Sequence, residues 1–119
     1  MRYMTNKIYD NLKKWDSLRK SIQTIENQIN ILALKSFSNS AQVVSEKILN
    51  MLSYKDKLIL RFQELDERLK RLGAYNLDLV YRYYLKEEQV KFLAEENKIS
   101  VRSFYRRINE LNKKYMGFR

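Results

Sequence analysis

The sequence predicts an all-α protein: a long N-terminal helical hairpin, or coiled coil, followed by a compact C-terminal helix-turn-helix. Three observations carry this. The 119 residues contain no proline and only two glycines, so little interrupts a helix. Apolar residues recur at alternating spacings of three and four over long stretches, the signature of one helical face. Apolar and polar residues nowhere alternate long enough to suggest a strand.

The first helix is predicted from near Thr5 to near Lys35. Trp15, Leu18, Ile22, Ile25, Ile29 and Leu32 form its stripe, Ile8 extends it by one heptad, and Asn11 interrupts it. Ser36 to Ser40, reading SFSNS, is cap-prone and polar and predicts a loop. A second helix follows from Ala41 to Leu72. Its stripe is Ile48, Met51, Leu58, Phe62, Leu65, Leu69 and Leu72, broken only at Lys55, which is expected to snorkel. Gly73 stands where a left-handed C-terminal cap is expected. At 1.5 Å per residue, two such helices with a short loop make an antiparallel hairpin about 45 Å long. The same stripes also suit pairing between chains.

After Gly73 the elements shorten. Asn76 to Tyr84 predicts a short helix with Leu77, Val80, Tyr81 and Tyr84 near one face. Leu85-Lys86 predicts a turn. Glu87 to Asn97 predicts a helix that buries Val90, Leu93 and Ala94, with Glu87 and Glu88 at its N-terminus, where the macrodipole favours acids. A tight turn at Asn97-Lys98-Ile99 comes next, with Asn97 able to take left-handed backbone. Ser100 is a good N-cap for the last helix. The expected division is a hairpin region over 1–73 and a helix-turn-helix domain over 74–119.

Charge sharpens the reading. The chain has 24 Lys and Arg against 14 Asp and Glu, a formal charge of +10. Residues 101–119 hold six basic side chains and a single acid, Glu110. The positive charge is therefore densest on the last helix. Such a balance favours a polyanionic partner.

Absences narrow the chemistry. The sequence has no His and no Cys, which removes the commonest general base, thiol chemistry and any His- or Cys-ligated zinc site. Gly73 and Gly117 alone cannot build a phosphate-binding loop. The nine tyrosines are expected in core packing and surface contact. No enzyme, cofactor or metal is expected. No apolar run reaches the length of a membrane span, and Met1 to Lys20 lacks a signal peptide's apolar centre.

At 100° per residue, Phe104, Ile108, Leu111 and Tyr115 share one sector of the last helix. The opposite face carries Arg102, Arg106, Asn109 and Lys113. Ser103, Arg107 and Glu110 lie to one side, and Tyr105 on the other flank. Arg chelates guanine N7 and O6, and Asn chelates adenine N6 and N7. Residues near the start of such a helix reach deepest into the major groove. Arg102, Ser103, Arg106 and Asn109 are therefore the candidate base contacts. Tyr105, Arg107, Lys113 and Lys114 are the candidate phosphate contacts.

The segment LVYRYYLKEEQVKFLAEENKISVRSFYRRINEL resembles the region-four helix-turn-helix of sigma factors. It looks most like the version in small phage and prophage proteins of Gram-positive bacteria, the ArpU and RinA type of late transcriptional regulator. The YRYYL stretch, the Leu93-Ala94 pair, the Ile99-Ser100 step and the Tyr105-Arg106 step carry the likeness. The resemblance implies double-stranded DNA as partner, control of phage genes and a bacterial cytoplasm. It implies DNA contacts by Arg102, Ser103, Tyr105 and Arg106. The long helices would then serve homo-oligomerisation or contact with RNA polymerase. Two other functions fit the same elements: the DNA-recognising small subunit of a phage packaging machine, and a helical interaction protein that binds no DNA.

Overall fold

The computed structural model describes residues 6–35 and 41–118. The expected helix start at Thr5 and the expected loop over Ser36–Ser40 lie outside the described residues. The chain is all-helical: α1 (Lys7–Lys35), α2 (Ala41–Lys70), α3 (Ala74–Tyr84), α4 (Val90–Glu96) and α5 (Val101–Met116). No described residue lies in a strand, and no helix among them is long and apolar enough to cross a membrane.

The chain forms two compact units. One comprises Met1–Lys14 with Leu65–Arg119, the other Trp15–Glu64. The compact units therefore divide within α1 and within α2, not at Gly73.

The Trp15–Glu64 unit is a two-helix hairpin in which α1 packs on α2. Trp15 stacks on Phe62, with ring centroids 6.0 Å apart and planes 15° from parallel. Eleven residues further along α1, Glu26 meets Lys55 at 3.1 Å. Moving forward on α1 means moving backward on α2, so the helices are antiparallel. Ile25, Val44 and Leu58 are buried. The other stripe residues of this unit, Trp15, Leu18, Ile22, Ile29, Leu32, Ile48, Met51 and Phe62, are half-buried. One helix can cover only one side of another, which accounts for the partial burial. Lys55, the break in the second stripe, is half-buried and delivers its amine to Glu26.

The other unit has a true core. Ile8 and Leu12 from α1, Leu69 from the last turn of α2 and Leu72 from the turn that follows it are essentially inaccessible. Leu79, Val80, Tyr83 and Tyr84 of α3, Val90, Leu93 and Ala94 of α4, and Phe104, Ile108, Leu111 and Tyr115 of α5 are buried with them. Polar ties join the same elements. Asn6 and Asn112 each donate a side-chain N–H to the Tyr84 hydroxyl, at 2.6 and 3.0 Å. Asn11 donates to the Tyr115 hydroxyl. Asn11 was expected to interrupt the stripe; instead it is buried, with its amide nitrogen satisfied inside the unit.

Three local expectations need correction. Gly73 has positive φ (+91°), but its ψ of 148° is extended rather than left-handed helical. It links α2 to α3 in a conformation essentially reserved for glycine. The fourth helix starts at Val90, not Glu87. Glu87 has φ 52° and Glu88 lies in the connection, so neither acid serves the macrodipole as expected. The left-handed residue of the next turn is Lys98 (φ 56°), not Asn97. Asn97 keeps φ −89° and ψ 1° and donates its side-chain amide to the Leu93 carbonyl at 2.6 Å.

Candidate nucleic-acid interface

The last helix is held by the turn that precedes it. The Lys98 N–H donates to the Glu95 carbonyl at 3.0 Å, and the Ile99 N–H to the Ala94 carbonyl at 3.1 Å. With Lys98 in the left-handed region, this is a Schellman closure of α4. Ser100 then caps α5. Its backbone is extended (φ −73°, ψ 160°), and its hydroxyl oxygen accepts the Ser103 N–H at 3.0 Å. One helix is closed and the next opened within four residues, which fixes where α5 begins.

Arg82 secures the other side of α4. Its guanidinium donates through Nε and Nη2 to the Glu88 carboxylate at 2.9–3.1 Å, and also reaches both Glu96 oxygens. Asp78 lies 3.9 Å away. The guanidinium thus ties α3 to the connection ahead of α4 and to the last turn of α4. Hydrogen bonding from Arg82 holds the Glu88 and Glu96 carboxyls below the usual range and raises the guanidinium's own affinity for its proton. Planar, bidentate pairing of this kind suits Arg and not Lys.

On α5, Phe104, Ile108, Leu111 and Tyr115 are buried, and Arg102, Arg106, Asn109 and Lys113 are exposed together on the opposite face. Arg102 and Arg106 have no ion-pair or side-chain hydrogen-bond partner among the described residues. The contrast with Arg82 is sharp. One arginine spends its donors inside the unit, while two present theirs to solvent, one turn apart.

The remaining candidates are placed differently. Ser103 is half-buried, and its hydroxyl accepts a hydrogen bond from Ser100 Oγ at 3.0 Å. Arg107 is half-buried, with its guanidinium 6.0 Å from the Tyr75 ring centroid. Tyr105 is exposed, edge-on to Phe104 at 6.2 Å. Lys114 is exposed on the Arg107 side. The structure therefore gathers Arg102, Arg106, Asn109 and Lys113 on one face, flanked by Tyr105 on one side and by Ser103, Arg107 and Lys114 on the other.

Sequence reasoning missed Arg82. Its hydrogen-bond partners are 6 and 14 residues away, across a turn whose path the residue types do not announce. Among the described residues, no group of three or more acidic, His or Cys side chains is arranged to hold a metal ion. Comparison of the chain with protein-family models, curated proteins and solved structures returned no match.

Proposed function

We propose that this protein is a sequence-specific DNA-binding transcriptional regulator that inserts α5 into the major groove of double-stranded DNA. The observation that carries the reading is the pair of exposed arginines without internal partners, Arg102 and Arg106, on the outer face of a helix whose start is fixed by a capped turn. A fixed helix start suits recognition, because base readout demands that the reading side chains hold their register. Arg102, Arg106 and Asn109 are the base-reading groups, with Ser103 beside them at the helix start. Tyr105, Arg107, Lys113 and Lys114 hold phosphates.

The resemblance of the C-terminal segment to sigma region four supports a regulatory role near a promoter, of phage or prophage origin, in a bacterial cytoplasm. The long helices are then the contact for polymerase or another protein. Selection of bound duplexes from a random pool at low salt tests the reading. Enrichment of a defined site supports it. Failure to retain any duplex would make the chain a helical interaction protein instead, and ring-sized particles in light scattering would point to a packaging subunit.

A further inference from the structure

Arg107 differs from the other cations of α5. Arg102, Arg106, Lys113 and Lys114 are exposed, whereas Arg107 is half-buried. Its guanidinium nevertheless makes no ion pair and no side-chain hydrogen bond among the described residues; Glu110, three residues on, does not pair with it. What it meets is the ring of Tyr75, in the first turn of α3, with the guanidinium carbon 6.0 Å from the ring centroid. Both residues belong to the same compact unit. A ring attracts the cation through its quadrupole but leaves the five N–H donors of the guanidinium without a conventional acceptor. The ring itself is 59% exposed, so it adds little to the core.

We propose that Tyr75 is a positioning residue for DNA: its ring holds the Arg107 guanidinium on the flank of α5, where it binds a backbone phosphate. The inference rests on the reading of α5 as the recognition helix and carries the interface onto α3. Place and chemistry support it. At 100° per residue Arg107 lies about 100° round α5 from Arg106, on the side of Ser103 and Lys114. That is the edge of a helix in a groove, where phosphates and not base edges come within reach. Arg combines contact with an aromatic face and bidentate donation to phosphate oxygens in one group. Arg82 spends its donors on two carboxylates inside the unit. Arg107 is held by a neighbour that takes none of them. Holding a long side chain in place before binding reduces the ordering cost at the moment of contact.

Duplex binding by the full chain, measured over a range of salt on cognate and scrambled sequences, tests this. Arg107→Ala is expected to lower the salt slope by about 0.9, one phosphate contact. Tyr75→Ala is expected to weaken binding about two- to fivefold, as loss of an exposed cation–π contact does, and equally on both sequences. Tyr75→Phe keeps the ring and is expected to bind as wild type. In the Arg107→Ala background, Tyr75→Ala is expected to cost nothing further. The rescue by Phe and the missing second loss would not follow from a general weakening of the fold. Wild-type binding by Tyr75→Ala, a Tyr75→Phe as weak as Tyr75→Ala, or losses that multiply in the double variant would each overturn the inference and leave α5 as the recognition helix. A wild type that retains no duplex at low salt would overturn both.

Discussion

The hydroxyl of Tyr115, in the last turn of α5, accepts a hydrogen bond from the amide of Asn11, in the second turn of α1. Both side chains are buried, at 1 and 8% exposure. The two ends of the sequence thus meet in one polar pair inside one compact unit, and the phenol must stay neutral there. Burial pushes its pKa above the ordinary 10.0, against the opposing effects of the Asn11 hydrogen bond and the Arg68 charge.

The sign of the pH effect follows. The folded state holds the Tyr115 proton more tightly than the unfolded state does. Its contribution to stability is present in full below about pH 10 and is lost as pH rises through the folded value. Urea unfolding between pH 7 and 11 should show a decline at the alkaline end that is smaller in Tyr115→Phe. That variant should also lose about 1–3 kcal/mol at pH 7, because Asn11 is left with a buried donor unsatisfied. An identical alkaline decline in both proteins would contradict the assignment.

The helix-turn-helix should not fold alone. Ile8, Leu12, Leu69 and Leu72 lie outside residues 74–119 yet are 0–2% exposed in the same unit. Each such side chain contributes about 1.5–3 kcal/mol on burial. Four together match the whole stability of a typical domain, about 5–15 kcal/mol. The fragment 74–119 should therefore show weak helicity and no cooperative melt, while the full chain shows both. A sharp thermal transition in the fragment would mean that the N-terminal helices only rest against a complete domain.

Two turn residues should respond in opposite directions. Lys98 is a non-glycine residue in the left-handed region, at φ 56°, so Lys98→Gly should stabilise by about 1 kcal/mol. Gly73 sits at φ 91° and ψ 148°. A Cβ there would meet nothing within 4 Å, so the penalty is purely backbone. Gly73→Ala should cost about 1–3 kcal/mol. Chemical denaturation of both variants measures this, and a destabilised Lys98→Gly would show that the turn does not need relief.

Much of the fold was legible in the residue pattern. The stripes on α1 and α2, the Ser100 cap and the buried quartet on α5 follow from periodicity and capping chemistry, which are local. What was not legible is non-local. Asn11 read as a break in a stripe because its partner is 104 residues away. Glu87 and Glu88 read as helix-start acids because nothing nearby in sequence shows that Arg82 draws Glu88 into the connection. The left-handed position fell on Lys98 rather than Asn97 because the Schellman bonds to Glu95 and Ala94 set it, overriding residue preference. On α5 the outer face was predicted directly, since a wheel needs only spacing. The half-burial of Ser103 and the seat of Arg107 against Tyr75 depend on neighbours that spacing does not supply.

The most direct test compares Arg106→Ala with Lys113→Ala on cognate and scrambled duplexes over a range of salt. Both residues are exposed on the outer face of α5, and the buried quartet leaves the fold indifferent to either change. Arg106, near the helix start, should cost about 1–3 kcal/mol on the cognate site and relax preference at one defined base. Lys113, two turns further on, should weaken all sequences alike and reduce the salt slope by roughly one phosphate contact, about 0.9 in log units. Equal and sequence-independent losses in the two variants would contradict the claim that α5 reads bases.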